Sequence, residues 1–134
     1  MTNERWLRWA VCRHFRQKGL KVNPNSVKVG NAMIDAEVVG QGWKMALEIK
    51  STSDDVVRGI GQLTEALAHG YQSAAMVTSL RHARKIKPHS FDKLGLILLG
   101  VDSKGNAHQV YPTYASLRPL EGSPVNQINR HNLS

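Results

Sequence analysis

The chain has 134 residues, with 18 lysines and arginines against 10 aspartates and glutamates, so its net charge is +8 with neutral histidines. With 41% apolar and 21% charged residues it is too apolar for a disordered chain, and its length predicts one domain. A single cysteine, Cys12, excludes an intramolecular disulfide and any zinc site built on several cysteines. No apolar run reaches the roughly 18 residues of a membrane span, and no signal-peptide core is present. We therefore expect a protein of the reducing cytoplasm, neither secreted nor membrane-bound, that binds a polyanion.

The first fifty residues are predicted to contain one helix and several strands. Apolar residues recur with helical spacing in residues 3–19. Residues 20–31 are expected to form a strand-like arm, which Pro24 bends or confines to a sheet edge because proline cannot donate to a β-ladder. Strands are expected at 32–39 and 43–51, joined by a glycine-containing hairpin turn. In the first of these strands, alternation places Ile34, Ala36 and Val38 on one face and Asp35 and Glu37 on the other.

The second half of the chain alternates helices with strongly apolar strands. A helix begins after Asp54 or Asp55, either of which can cap it, and runs to about Gly70. Strands at 72–79 and 94–101 are apolar on both faces, as strands covered on both sides are. The remaining elements are a short helix or loop at 80–93, broken at Pro88, and a last strand at 107–111.

These elements follow one another in the order α-β-β-β-α-β-(α)-β, which predicts an α/β fold with a mixed central β-sheet flanked by helices. We expect one domain at residues 1–118. Residues 119–134 are polar and free of aromatic side chains, so we expect a flexible C-terminal tail, or an arm that reaches a partner. The chain has no glycine-rich phosphate-binding loop, so we expect no nucleotide cofactor.

The motif with the clearest chemistry is Glu48-Ile49-Lys50, which places a carboxylate and an ammonium on one strand face. Asp35 lies on the neighbouring strand, so the predicted hairpin can bring its carboxylate to Glu48. Paired charges on a strand usually form a solvated face, but these lie within apolar strands, where a buried charge is costly unless it is paired or metal-bound. Two carboxylates from adjacent strands form a hard-oxygen site that suits Mg²⁺, with Mn²⁺ as a substitute.

This pattern resembles the PD-(D/E)XK nuclease superfamily. The residues that carry the resemblance are Asp35, Glu48, Lys50 and the following Ser51-Thr52 before a helix. Within the superfamily, the chain is most similar to the archaeal Holliday junction resolvases, which begin with a Glu-Arg pair, here Glu4-Arg5, and carry a serine in the next arm, here Ser26. Ile34 stands where the superfamily often has a proline. The resemblance covers roughly residues 3–80 and implies a restriction-endonuclease-like fold and Mg²⁺-dependent hydrolysis of DNA.

The resemblance also implies roles for the matching residues. Asp35 and Glu48 are expected to be metal ligands, and Ile49 is expected to add its backbone carbonyl. Lys50 is expected to be the catalytic lysine. Glu4 is expected near the metal, bound through water or a second ion.

Other residues have both a functional and a purely structural interpretation. Gln62 matches a glutamine that several branches carry on this helix, where it contacts a catalytic group or DNA, or it is an exposed helix residue. Glu37 is either an extra ligand or, as we favour, the partner of a lysine. The residues expected to contact DNA phosphates are Arg5, Arg58, Arg81, Arg84, Lys85 and Lys87.

The first helix carries an aromatic and basic face, formed by Trp6, Trp9, Arg13 and Arg16, opposite its apolar side. Tryptophans on such a face either stack on splayed bases or, as we favour, form a dimer interface or pack against the C-terminal arm. His14 lies on the apolar side and is expected to be a core residue.

Four functions compete for this sequence. We favour a Mg²⁺-dependent endonuclease that cuts branched DNA as a homodimer, because two symmetric sites suit a four-way junction and the chain leaves no room for a separate recognition domain. A restriction or defence nuclease acting on linear or single-stranded DNA would use the same site. A non-catalytic DNA-binding module on the same fold is the third possibility, and a basic protein-interaction domain remains if DNA binding is absent.

Overall fold

The computed structural model describes residues 3–52 and 54–113. In chain order, the helices are α1 (Glu4–Gln17), α2 (Val56–Ala68), α3 (Leu80–Ala83) and α4 (His89–Leu94). The strands are β1 (Lys21–Asn23), β2 (Val27–Val29), β3 (Ala32–Ile34), β4 (Ala36–Gly40), β5 (Trp43–Ile49), β6 (Ser73–Ser79), β7 (Ile97–Val101) and β8 (Ala107–Tyr111). The predicted boundary at residue 118 and the predicted tail at 119–134 lie outside the described residues.

Six strands form one mixed sheet in the order β1-β4-β5-β6-β7-β8. Strands β1, β4 and β5 are antiparallel, β5, β6 and β7 are parallel, and β8 returns antiparallel to β7. Because β5 and β6 are parallel and joined through α2, their carboxyl ends lie at the same edge of the sheet. The expected mixed central sheet flanked by helices is confirmed.

Each face of the sheet carries its own hydrophobic core. Helix α1, whose first turn is capped by the Asn3 side chain, packs its apolar stripe on one face. On the opposite face, α2, α3 and α4 cover the sheet with buried residues such as Leu63, Ala83 and Phe91. The alternation of β5 sets this division, since Met45, Leu47 and Ile49 enter the α1 core while Ala46 enters the α2 core. Within the described residues, none of the helices is long and apolar enough to cross a bilayer.

The structure contains more and shorter elements than the sequence predicted. The arm at 20–31 divides near Pro24 into β1, which joins the main sheet, and β2, which pairs with β3 in a separate two-stranded sheet. The strand predicted at 32–39 divides at Asp35 into β3 and β4. The segment 80–93 forms the two short helices α3 and α4, with Pro88 immediately before α4.

The division at Asp35 corrects one prediction about the strand faces. Ala36 and Val38 lie in the α1 core as expected, but Ile34 lies in the α2 core with Val29. A continuous strand would have kept Ile34 and Ala36 on one face. The chain changes faces because the backbone bends at Asp35, where β3 leaves the main sheet to pair with β2.

Candidate functional site

The sheet register brings Asp35 to the end of β5. Residue Ala36 pairs with Leu47, and the backbone N–H of Asp35 donates to the Leu47 carbonyl at 3.0 Å. The Asp35 side chain then continues the ladder, because its Oδ2 accepts a hydrogen bond of 2.7 Å from the N–H of Ile49. Its carboxylate is thereby placed beside the neighbouring Glu48.

Glu48 is the buried acid of this site. Its side chain is 2% exposed, and its Oε1 has no hydrogen-bond partner among the described residues. Burial is the main cause that raises the pKa of Glu48 to about 8, and the neighbouring Asp35 carboxyl contributes to this rise. Lys50 opposes this effect, since its Nζ lies 3.4 Å from Oε2 of Glu48. The expected convergence of Asp35, Glu48 and Lys50 is therefore present.

A second pair of acids borders Lys50. Glu4 is exposed at the start of α1, and its pKa is raised by partial burial, by a hydrogen bond with Asp54 and by the charges of Asp54 and Asp35. Oδ2 of Asp54 accepts hydrogen bonds from the backbone N–H of Ser51 at 2.7 Å and from its Oγ at 3.0 Å. The Ser51 N–H is the main cause that lowers the pKa of Asp54.

Asp54 is a residue of the site that the sequence analysis treated only as a possible helix cap. The structure assigns the cap of α2 to Asp55, whose side chain accepts from the N–H of Arg58 at 3.2 Å. Asp54 is therefore available to face Glu4 and Lys50. One helix takes only one N-cap residue. The pair Asp54-Asp55 before an apolar helical stripe therefore indicated that one of the two aspartates has a different role.

Arg8 is a second residue that the sequence analysis missed. Its Nη1 donates to the backbone carbonyl of Asp35 at 2.6 Å and to that of Pro24 at 2.5 Å. The guanidinium thus connects α1 to the bend at Asp35 and to the arm. Its position four residues after Glu4, on the same side of the helix, was the available signal.

Gln62 lies half-buried on α2, where it bridges to the two-stranded sheet. Its Nε2 donates to the Met33 carbonyl at 3.3 Å, and its Oε1 is buried without a partner among the described residues. The side chain therefore holds α2 against β3, and the hydrogen bonds of the described residues do not join Gln62 to Glu48 or Lys50.

The residues expected to contact DNA are all exposed. This holds for Arg5, Arg58, Arg81, Arg84, Lys85 and Lys87. Helix α3 and the segment after it follow the carboxyl end of β6, which lies beside the carboxyl end of β5. Four of the six basic residues are thus attached to the sheet edge that carries Glu48 and Lys50.

Two other predicted groups lie outside the site. Glu37 accepts a short hydrogen bond from the Tyr71 hydroxyl and a second one from Asn23 at 3.4 Å, and within the described residues it forms no ion pair with a lysine. On α1, the Arg13 guanidinium lies 4.5 Å from the Trp9 ring centroid and donates to the Gly105 carbonyl at 2.9 Å. This face therefore packs on the turn between β7 and β8, although Trp9 stays 51% exposed.

His14 borders a pocket on the α1 face rather than filling the core. The pocket measures about 210 Å³ and is floored by Met45, Ile97 and Leu99. The His14 ring is half-buried, and burial lowers its pKa. Because Met45, Ile97 and Leu99 face α1 while Glu48 belongs to the opposite face, the pocket is separate from the acidic site.

The donor atoms of the site are compatible with a hard divalent cation. Within residues 3–52 and 54–113, no group of three or more His, Cys, Asp or Glu side chains is arranged to hold a metal. Asp35 and Glu48 nevertheless offer carboxylate oxygens side by side, and Oε1 of Glu48 is buried with no hydrogen-bond partner in these two ranges. A cation at that oxygen would offset both the burial and the mutual repulsion of the two carboxylates.

Comparisons with known proteins identify the fold. No protein-family model and no curated protein matches the chain. The SPO1766 protein of unknown function from Silicibacter pomeroyi is similar in structure, with a TM-score of 0.63 and 19% identity over 82% of this chain and 70% of that one. An XisH family protein from Nostoc punctiforme and an fdxN element excision controlling factor protein from Anabaena variabilis each give a TM-score of 0.53. Their identities are 13% and 14%, over 78% of this chain and 97% of each of theirs, so the likeness concerns the fold alone.

Proposed function

We propose that this protein is a metal-dependent DNA endonuclease with a restriction-endonuclease-like fold and a PD-(D/E)XK site. The observation that carries the proposal is Glu48, a buried carboxylate held beside Asp35 and 3.4 Å from the Lys50 ammonium, with one oxygen that has no hydrogen-bond partner in the described part of the chain. A carboxylate in this environment is destabilising for the fold, which favours a functional reason for its presence.

The residues that would hold the metal are Asp35, Glu48 and the backbone carbonyl of Ile49, with Glu4 close by. A Mg²⁺ or Mn²⁺ ion bound there supplies a Lewis acid for the phosphate and for the attacking water. Asp35 is already oriented by its hydrogen bond from Ile49. The raised pKa of Glu48 means that cation binding competes with a proton on this carboxyl.

Lys50 supplies positive charge where the reaction develops negative charge. Its side chain is only 12% exposed and is directed to Glu48. Hydrolysis of a phosphodiester adds water to phosphorus and breaks one P–O bond, so negative charge grows on the phosphate oxygens. A fixed ammonium in a site with little water stabilises that charge more than a solvated one does.

DNA is the proposed substrate because the charge of the protein suits a polyanion. The net charge is +8, and exposed basic residues follow β6, the strand beside β5, which carries Glu48. Contacts to phosphates carry no sequence information, so such a surface reads backbone geometry. We propose branched DNA, bound by a homodimer, as the preferred substrate, with linear duplex as the alternative.

The test is cleavage of a labelled DNA panel that contains a four-way junction, linear duplex, a flap and single-stranded DNA. Each substrate is tested in three reactions: wild type with Mg²⁺, the Glu48→Ala variant with Mg²⁺, and wild type with EDTA. The Lys104→Ala variant is the matched control, because Lys104 is an exposed residue of the turn between β7 and β8. We expect symmetric cuts near the junction that need both Mg²⁺ and Glu48.

Other outcomes of this assay separate the competing functions. Metal-dependent cutting of linear or single-stranded DNA would keep the nuclease and reject the junction preference. Binding to DNA without any cutting would replace the nuclease by a non-catalytic DNA-binding module. The absence of binding at low salt would reject a nucleic-acid function altogether.

A further inference from the structure

Helix α2 lies close to the acidic site at Gly59, which is buried. A Cβ atom at this position would lie 2.7 Å from Cε of Lys50 and 2.7 Å from Cε of Met76. It would lie 3.5 Å from Cγ of Glu48, which is an ordinary van der Waals distance. The space that a side chain would need at Gly59 is therefore occupied by Lys50 and Met76, while Glu48 would be left undisturbed.

A second glycine of the same helix has no such neighbours. A Cβ atom at Gly61 would meet no atom within 4 Å. Both glycines weaken the helix, because glycine is a much poorer helix former than alanine. Of these two glycines, only Gly59 has other side chains so close that a Cβ atom would not fit.

We propose that Gly59 is a positioning residue that holds the Lys50 side chain against Glu48, an inference that rests on the nuclease function proposed above. At Gly59 the backbone of α2 forms a wall beside Cε of the Lys50 side chain. This wall fixes the ammonium 3.4 Å from Oε2 of Glu48. An amine that is held before substrate binds needs no reorganisation when charge develops on the phosphate.

The proposal predicts that activity is more sensitive than stability at this position. Cε of Lys50 and Cε of Met76 both lie at the ends of flexible side chains, so each can move away from an added methyl group. The fold is then retained, but the displaced ammonium no longer faces Glu48. A substitution at Gly59 should therefore act through Lys50.

The experiment compares Gly59→Ala with Gly61→Ala, the same substitution two residues further along α2. We expect kcat for Mg²⁺-dependent cleavage to fall about 100-fold in Gly59→Ala, which is typical of a misplacement near 1 Å. The KM for DNA and the Tm should stay close to the wild-type values. In Gly61→Ala, kcat should be unchanged and the Tm equal or higher.

A second readout does not depend on cleavage. The acetylation rate of each lysine is followed by mass spectrometry, with Lys85, exposed after α3, as the internal standard. We expect Lys50, which is 12% exposed, to react severalfold faster in Gly59→Ala than in the wild type and in Gly61→Ala. An unchanged Lys50 rate together with full cleavage activity in Gly59→Ala would overturn the proposal.

The two readouts separate the failure of this inference from the failure of the nuclease proposal. If the wild type cuts no DNA, the proposed function is rejected, and the acetylation rates alone decide whether Gly59 holds Lys50. If Gly59→Ala does not fold, the double variant Gly59→Ala/Lys50→Ala is examined. Recovery of folding identifies Lys50 as the obstructed side chain, and a double variant that stays unfolded contradicts the proposal.

Discussion

Asp35 and Ile49 are joined by a hydrogen bond of 2.7 Å, in which the backbone N–H of Ile49 donates to Oδ2 of the aspartate. The bond takes the place of a ladder hydrogen bond at the point where the chain bends out of the main sheet. One carboxylate thereby serves two purposes. Its Oδ2 satisfies the backbone of β5, and its charge lies beside Glu48.

This double role predicts different results for two substitutions of Asp35. Asp35→Asn keeps a side-chain oxygen that accepts from Ile49, so its Tm should stay near the wild-type value while cleavage is lost. Asp35→Ala leaves the Ile49 N–H without a partner and should lose about 1–3 kcal/mol of stability as well. Urea unfolding and cleavage assays check both variants. Equal stability of the two variants would contradict a structural role for this bond.

The raised pKa of Glu48 predicts a pH-dependent stability in metal-free buffer. The folded protein retains a proton on Glu48 up to a pKa of about 8, whereas an unfolded glutamate releases it near its ordinary value of 4.5. The folded state therefore binds more protons between these values, and stability falls as the pH rises from about 4.5 to about 8.

Thermal unfolding in EDTA, at pH 5 and at pH 8.5, measures this effect. The matched control is Glu48→Gln, which has a similar shape and no titrating group. We expect the Tm of the wild type to fall by several degrees more than that of Glu48→Gln over this range. Added Mg²⁺ should recover most of the wild-type loss at pH 8.5, since a bound cation replaces the proton. Parallel Tm curves for the two proteins would exclude a buried, proton-binding Glu48.

Arg8 is predicted to support the site from α1. Arg8→Ala removes the donors to the Asp35 and Pro24 carbonyls, so we expect a loss of about 1–3 kcal/mol in unfolding free energy and a reduced kcat. Arg8→Lys should recover only part of this loss, because both hydrogen bonds come from Nη1, which lies one bond farther along the side chain than the Nζ of a lysine. Arg16→Ala, an exposed arginine of the same helix, is the control and should behave as wild type.

The exposed basic segment is predicted to set the affinity for DNA but not its specificity. Alanine substitution of Arg81, Arg84, Lys85 and Lys87 should weaken binding to every DNA in the panel. The slope of log K against log salt should decrease by about one for each phosphate contact that is lost. Fluorescence anisotropy in EDTA measures binding without cleavage, and Lys104→Ala should leave the slope unchanged. An unaltered slope in the fourfold variant would mean that DNA binds to another surface of the protein.

Local pattern was sufficient to predict much of this site. Alternation alone assigned Glu48 and Lys50 to one face of the strand predicted at 43–51, and in the structure Met45 and Leu47 lie on the other face, since side-chain direction in a strand depends only on the parity of the position. The helix after the motif followed from its apolar spacing and from the acid pair before it. These features depend on residues close together in the chain.

The tertiary structure decided what depends on distant residues. The bend at Asp35 follows from the pairing of β3 with β2 and from the hydrogen bond to Ile49, so the strand predicted at 32–39 was wrong. Arg8 reaches Asp35 across 27 positions, and the packing of Gly59 on Lys50 requires α2 to lie on the sheet. The sequence by itself determined which side chains share a face of β5, because that strand is continuous. The meeting of the carboxylates was decided only by the sheet register, because register is a property of two strands together.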